Sequence, residues 1–194
     1  MSLGIQGILL AAGSASRFGS DKLAHRLDDG TPIVLASARH LREALPSSLA
    51  VVRSAQSPVA ALLRDEGLRV VECPEAAEGM GSSLAAGVRA SAGASGWVLV
   101  LGDMPFISPE TIRRVAERLA GGETIVAPFF RGERGHPVGI GAEFRDQLQA
   151  SRGDEGARAL LREHAPRIAR VEVDDPGVLR DIDTREDLVA GRTA

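Results

Sequence analysis

The chain is poor in the residues that build disulfide frameworks and base-stacking surfaces. It has one cysteine, no tyrosine and 3% aromatic residues among 194 positions. A single cysteine, Cys73, excludes an intramolecular disulfide and fits a reducing compartment. So few aromatic side chains disfavour a protein that stacks single-stranded bases.

The chain also has few histidines and a small net charge. The histidines, His25, His40, His136 and His164, include no pair at the i, i+4 spacing of a helical zinc site. Any metal is therefore expected to be a hard cation held by carboxylates. The net charge of -3, from 23 basic and 26 acidic residues, argues against a nucleic-acid-binding surface.

Long apolar runs and targeting signals are missing as well. No apolar run approaches the ~20 residues of a membrane span, and the first residues lack a signal-peptide pattern. We therefore expect a cytoplasmic protein without a membrane partner. The length predicts one domain spanning residues 1–194.

What the chain does have is a regular alternation of apolar strands and helices. A near-continuous apolar strand is typical of a sheet covered on both faces, and strand–helix alternation predicts a doubly wound, mostly parallel α/β sheet. Residues 131–141 are predicted to form a turn with an extended return. The predicted strands are 5–11, 48–54, 68–73, 96–103, 123–130 and 167–173, and the predicted helices are 32–45, 57–66, 82–92, 108–120, 142–150, 155–164 and 184–191.

The loop after the first strand carries cations and glycines, in the segment "GILLAAGSASRFGSDKL" (7–23). Ligands of open parallel sheets bind beyond the carboxyl ends of the strands. Gly13 and Gly19 allow backbone N–H groups to approach an anion, and Arg17 and Lys22 add full positive charges. The pattern suits a polyphosphate, although it is neither a Walker A loop nor a dinucleotide fingerprint. An ordinary loop with two solvated cations remains the alternative.

A carboxylate follows the strand expected at the centre of the sheet, in "LVLGDMPFIS" (99–108). Asp103 at that place can hold Mg²⁺. The alternative is a turn or helix-capping residue, which is disfavoured because the next helix is predicted to begin several residues later.

Two further carboxylates flank an apolar residue in "RDIDTREDL" (180–188). Alternation places Asp181 and Asp183 on one face if the segment is extended. We assign Asp181 to the metal of Asp103 and Asp183 to local structure. The alternative is a polar turn in which Asp183 or Thr184 caps the last helix.

Glycines and serines come together at a predicted helix start in "PEAAEGMGSSLAAGV" (74–88). One of Ser82 and Ser83 is expected to cap the helix. The other hydroxyl, with the backbone of Gly79 and Gly81, is a candidate for contacting a base or ribose. Capping by both serines alone is the alternative.

Together these segments resemble the molybdenum cofactor nucleotidyltransferase family, and within it the cytidylyltransferases. The resemblance lies in "LLAAGSASRFGSDKL", "EGMGSSLAAGV", "LGDMP", "RGHPVGI", "GDEGARALL" and "DIDTREDL", in the family's order, from about Ile8 to Leu188. It implies a Rossmann-like fold and a Mg²⁺-dependent transfer of CMP from CTP to the terminal phosphate of molybdopterin, with release of pyrophosphate. A molybdoenzyme or its chaperone is the implied receiver of the product.

The resemblance also implies roles for single residues. It implies catalytic roles for Arg17, Lys22 and Asp103, and metal binding by Asp103 and Asp181. Nucleotide binding is implied for Leu10, Ala11, Ala12, Gly13, Arg17, Lys22, Gly79, Ser82, Ser83 and Asp103, and the pterin side for Arg134, His136, Asp154 and Arg158.

Three other functions stay open from the sequence. A guanylyltransferase of the same cofactor is one, although relatives of that kind more often read LAGG where this chain has Ala11-Ala12-Gly13. A cytidylyltransferase for a sugar or polyol phosphate is another. The third, from a different class, is a non-catalytic carrier of the molybdenum cofactor.

Overall fold

One mixed sheet forms the centre of the molecule. The structure is a computed structural model that describes residues 4–13, 22–184 and 186–189. Its strands are β1 (Ile5–Leu10), β2 (Leu49–Val52), β3 (Arg69–Glu72), β4 (Gly96–Leu101), β5 (Ile125–Phe130), β6 (Glu133–Arg134), β7 (Val138–Gly141) and β8 (Ile168–Glu172). Their order is β3-β2-β1-β4-β7-β5-β6, with β8 paired to β5.

Helices cover both faces of this sheet. They are α1 (Ile33–Ala44), α2 (Pro58–Asp65), α3 (Met80–Ala90), α4 (Pro109–Ala120), α5 (Arg145–Gln149), α6 (Arg158–Glu163) and α7 (Glu186–Val189). Alternate strand residues separate two apolar clusters: Leu9 and Val100 pack with α1, α2 and α4, whereas Ile8 and Leu99 pack with α3, α5 and α6. The doubly wound α/β fold predicted from the sequence is confirmed. No helix in the described part of the chain is both long enough and apolar enough to span a bilayer.

The sheet departs from purely parallel pairing at β7, the extended return predicted within 131–141. β1 pairs in parallel with β2 and β4, but β7 lies antiparallel between β4 and β5. In its register Val138 faces Leu99 and Gly141 faces Gly96. The start of β7 therefore lies at the carboxyl end of β4, so the residues just before it reach the ligand-binding edge of the sheet.

Capping explains two of the helix starts. Ser57 accepts a hydrogen bond from the N–H of Ala60 at 3.1 Å, and Ser108 accepts one from the N–H of Thr111 at 3.1 Å. Pro109 occupies the first position of α4, as the sequence predicts.

Candidate functional site

A cavity of about 350 Å³ opens at the carboxyl ends of β1 and β4. That volume is within the usual range for small-molecule sites. Most of the residues that line it come from the segments singled out in the sequence. They are Leu10, Ala12, Gly13, Lys22, Leu23, Ala76, Ala77, Gly79, Met80, Ser83, Leu101, Asp103, Asp154 and Arg158.

Backbone hydrogen bonds hold the ends of the two central strands together under this cavity. The N–H of Gly102 donates to the carbonyl of Leu10 at 2.9 Å, and the buried hydroxyl of Ser37 donates to the carbonyl of Gly102 at 3.1 Å. A Cβ on Gly102 would lie only 3.1 Å from the Leu10 oxygen, so glycine permits the close approach. The ends of β1 and β4, and with them Leu10 and Asp103, are thereby fixed side by side.

Lys22 and two carboxylates form the charged centre of the cavity. The Lys22 Nζ lies 2.9 Å from Asp103 Oδ2 and 3.2 Å from Asp183 Oδ1. The N–H of Ile182 donates to the Asp103 carbonyl at 3.0 Å, which brings the 181–183 segment alongside. Burial alone would lower the pKa of Lys22, but its hydrogen bonds and charge interactions with Asp103 and Asp183 raise it, so the ammonium stays charged.

Asp183 has a larger part in this centre than the sequence assigned to it. It pairs with Lys22, and its own N–H donates to Asp187 Oδ2 at 3.0 Å, so it serves local structure as well. Asp181 is exposed and pairs with no described cation. Partial desolvation raises the pKa of Asp181, and the negative charges of Asp183 and Asp103 add to the effect.

This surplus of negative charge is compatible with a divalent cation. Within the described residues, no three side chains of His, Cys, Asp or Glu converge to hold a metal on their own. Mg²⁺ in proteins is commonly held by one or two carboxylates together with substrate phosphates and water. Asp103 with one neighbouring aspartate fits that incomplete donor set.

The start of α3 forms a second wall of the cavity and depends on glycine. Gly79 has φ +122°, and a Cβ there would lie 2.2 Å from the backbone carbon of Gly153. The N–H of Gly81 donates to the Gly153 carbonyl at 2.8 Å. These contacts place the 152–154 segment, and with it Asp154, against the cavity.

The serine cap predicted for this helix is wrong. α3 begins at Met80, its N-cap is Gly79, and no side chain of residues 4–13, 22–184 or 186–189 caps it. The serines lie inside the first turn because the Gly79–Gly153 approach starts the helix two residues earlier than predicted. Ser83 lines the cavity, whereas the Ser82 hydroxyl is buried and finds no hydrogen-bond partner in the described part of the chain.

Gly79→Ala is expected to lower the free energy of unfolding by more than about 3 kcal/mol, since it combines a glycine-only backbone conformation with a clash against backbone. Gly122→Ala is the matched control, because Gly122 has φ +106° and open space around its Cβ position. That control should cost only about 1–2 kcal/mol of backbone strain. Urea unfolding of both variants measures the difference, and equal losses would contradict the tight approach to Gly153.

A second cavity, of about 100 Å³, adjoins the first. The two share Leu10, Met80, Leu101 and Arg158 as common walls. Arg134 and His136 line the smaller one, with apolar sides from Leu84, Leu99, Val138 and Leu161. It is positioned by the turn before β7, where the His136 N–H donates to the Val178 carbonyl at 2.9 Å.

His136 is the most perturbed titratable side chain of this region. Its Nδ1 is buried and has no hydrogen-bond partner among the described residues. Burial is the main cause that lowers its pKa to about 4, Arg134 and Arg158 add to the effect, and Asp103 opposes it. The imidazole is therefore neutral at neutral pH and has a ring nitrogen available for a ligand.

The lowered pKa makes stability depend on pH in a defined direction. Between about pH 6.5 and the folded value near 4, the unfolded chain binds a proton on His136 that the folded chain does not, so stability falls as pH falls. From about pH 7.5 to about pH 5 we expect this residue to cost about 2 kcal/mol. Urea unfolding of the wild type and of His136→Gln at both pH values tests this, because the variant should lose that much less. An equal loss in both proteins would contradict it.

Most of the predicted site residues come together in these cavities. Leu10, Ala12, Gly13, Lys22, Gly79, Ser83, Asp103 and Asp154 line the larger cavity, Arg134 and His136 line the smaller, and Arg158 lines both. Ala11, Ser82 and Asp181 line neither cavity. The side chains of Ala11 and Ser82 are buried, whereas Asp181 is exposed. Arg17 falls outside the described residues.

Sequence reasoning left several lining residues unassigned, of which Met80 is the most exposed large apolar side chain, and it gave Asp183 to local structure alone. Met80 lines both cavities and is 39% exposed, which is unusual for a large apolar side chain. Its position between two glycines in "EGMGSS" was the available signal. Asp183 shares the alternation with Asp181 that the sequence displays, but the partner that distinguishes the two, Lys22, lies 161 residues away along the chain.

Comparisons with known proteins agree with this fold. Residues 7–168 match the family described as MobA-like NTP transferase domain. The purine catabolism protein PucB of Bacillus subtilis is 30% identical over 97% of this chain and 96% of its own length. The crystal structure of Rv0371c from Mycobacterium tuberculosis superposes with a TM-score of 0.83 at 28% identity, covering 98% of both chains. A manganese complex of the same protein superposes with a TM-score of 0.75 at 27% identity, covering 96% of this chain and 97% of that one.

A nucleotidyl transferase from Methanothermobacter is also similar. It superposes with a TM-score of 0.82 at 28% identity, covering 97% of this chain and 95% of its own. The matched family region includes the loop after β1, the start of α3 and the turn that carries Asp103. The chain belongs to the MobA-like NTP transferase family and is a nucleotidyltransferase of that family.

Proposed function

We propose that the protein is a Mg²⁺-dependent cytidylyltransferase that transfers CMP from CTP to the terminal phosphate of molybdopterin and releases pyrophosphate. The observation that carries the proposal is the pair of adjoining cavities, which meet at Leu10, Met80, Leu101 and Arg158. The larger has the charged groups that a nucleoside triphosphate requires, and the smaller offers apolar walls beside two arginines. A donor and an acceptor would therefore meet at the shared wall.

The chemistry needs little beyond what these residues supply. The attacking group would be a phosphate oxygen, which is already ionised at neutral pH, so no general base is required. The barrier consists of repulsion between anions and of poor alignment, and fixed cations and positioning reduce both. Lys22 would bind the triphosphate, with Arg17 assigned to the same task. The backbone of Gly13 and Gly79 and the hydroxyl of Ser83 would contact base and ribose.

A divalent metal is typical of this family, and Asp103 with Asp181 or Asp183 would hold it here. When bound, the cation would neutralise charge on the phosphates and orient them for displacement. The manganese complex of the mycobacterial relative supports divalent-metal binding at this fold. The preference for Mg²⁺ is part of our proposal.

The smaller cavity would receive the pterin side of the acceptor. Arg134 and Arg158 would attract its phosphate, and the neutral ring of His136 would offer its unpartnered Nδ1 to a polar edge of the pterin. Asp154 lines the larger cavity, beside the Arg158 that both cavities share, and would accept hydrogen bonds from amino groups of an acceptor that extends past this shared wall. A molybdoenzyme or its chaperone in the cytoplasm would then take the product.

Pyrophosphate release with molybdopterin and each of CTP, GTP, UTP and ATP tests the proposal. We expect release with CTP and a cofactor product heavier by one CMP. Release with GTP alone would favour the guanylyl alternative. Transfer to a sugar or polyol phosphate, but not to molybdopterin, would replace the acceptor. Tight binding of molybdopterin without pyrophosphate from any nucleotide would indicate a carrier.

A further inference from the structure

Lys22 differs from every other cation of the chain. It is the only lysine in the sequence, and the remaining residues in the count of 23 basic side chains are arginines. Its Nζ lies between two carboxylates, 2.9 Å from Asp103 and 3.2 Å from Asp183, with 14% of the side chain exposed. The ammonium thus lies directly against the carboxylate that we assign to the metal.

We propose that Lys22 occupies the cation position beside Asp103 in the free protein and moves to the triphosphate when nucleotide binds, so that a divalent metal binds appreciably only together with nucleotide. The proposal rests on the nucleotide site proposed above. It adds an order to the binding events and gives Lys22 two successive partners.

Electrostatics supports this exchange. An ammonium and a divalent cation at the same carboxylate repel each other in a partly buried site, so each weakens the binding of the other. The described residues offer the metal no third side-chain ligand that would favour displacement of Lys22. A bound triphosphate removes both obstacles to metal binding. It gives Lys22 another anionic partner away from Asp103, and it supplies phosphate oxygens as further ligands for the metal.

The use of lysine at this position is consistent with such a movable charge. An ammonium is a compact point charge on a flexible stem, whereas a guanidinium binds carboxylates through a rigid two-pronged fork. In a chain that otherwise uses arginine throughout, the single lysine stands where one cation must be exchanged for another.

The competition between Lys22 and the metal is tested directly by measuring Mn²⁺ affinity in the absence of nucleotide, with electron paramagnetic resonance as the readout. Lys22→Met removes the charge and keeps most of the side-chain length, so it should bind Mn²⁺ roughly tenfold or more tightly than the wild type. Lys22→Arg keeps the charge and should bind as weakly as the wild type. The increase in Mn²⁺ affinity caused by Lys22→Met should vanish in the double variant with Asp103→Asn. That result would show that the additional Mn²⁺ binds at Asp103. Unchanged or weaker Mn²⁺ binding by a folded Lys22→Met protein would overturn the proposal.

A second experiment measures the Lys22 side chain directly. Protein labelled with an isotope in the lysine side chain gives a single ammonium signal in nuclear magnetic resonance, because Lys22 is the only lysine. We expect that signal to change little with Mg²⁺ alone and to shift with CTP and Mg²⁺ together. CTP should also increase Mn²⁺ affinity by roughly tenfold or more in the wild type, and by less in Lys22→Met.

The two experiments separate this inference from the proposed function. If Mn²⁺ binds the wild type without nucleotide as tightly as it binds Lys22→Met, while CTP still binds, the exchange is wrong and the nucleotide site stands. If Lys22→Met gains Mn²⁺ affinity but no nucleoside triphosphate binds to either protein, the competition at Asp103 stands and the nucleotidyl-transfer proposal fails. If CTP binds with Mg²⁺ and the lysine signal does not shift, Lys22 does not change partners and the exchange is wrong.

Discussion

Asp103→Asn is expected to reduce nucleotidyl transfer by roughly a thousandfold or more while leaving the protein folded. The substitution keeps the shape of the side chain but removes its negative charge. Asp103 contributes to the fold through its backbone carbonyl, which accepts from Ile182 at 3.0 Å, and that bond is unaffected. The side chain itself contacts Lys22 at the cavity, so its charge serves the site.

Asp65→Asn is the matched control for this experiment. Asp65 is exposed at the last position of α2, which runs back from the carboxyl ends of the strands and ends just before β3, at the opposite edge of the sheet. Both variants should have melting temperatures near that of the wild type, and only Asp103→Asn should lose pyrophosphate release. Normal Mg²⁺-dependent turnover by Asp103→Asn would remove this carboxylate from the reaction.

The parts of the fold that could be read from the sequence are those whose signal is local. Apolar strands such as 96–101 and capped helices such as α4 are specified by neighbouring residues, so their positions are confirmed to within a few residues. The ends of parallel strands share one edge of a sheet, so placing Lys22, Asp103 and the start of α3 near each other followed from topology alone.

The parts that could not be read depend on contacts between distant segments. The antiparallel insertion of β7 is set by pairing with β4, about forty residues earlier, and by Gly139, whose missing side chain admits Val115. The early start of α3 depends on Gly153, which approaches Gly79 from another part of the chain. The choice of Asp183 over Asp181 as the partner of Lys22 is a matter of side-chain direction across a turn. None of these has a periodic signature in the local sequence.

CTP is expected to give a kcat/KM about a hundredfold or more above that of GTP, with molybdopterin as the acceptor. The structural reason lies at Ala12, which lines the larger cavity and is 3% exposed. Its methyl group packs in the apolar cluster that includes Ile8 and Ala76, so it is held in place and would limit the space beside a base bound in this cavity. Cytosine has a single ring and would fit a narrower space than guanine.

Ala12→Gly should bring the two kcat/KM values to within about tenfold of each other, because it removes the methyl group that separates them. Ala11→Gly is the matched control, since it makes the same change one residue earlier, where the side chain packs in the opposite apolar cluster and does not line the cavity. The control gains the same backbone freedom, so it should retain the CTP preference. A preference for GTP in the unmodified protein would assign it to the guanylyl branch. An equal change in both variants would trace base choice to loop flexibility and not to the Ala12 methyl group.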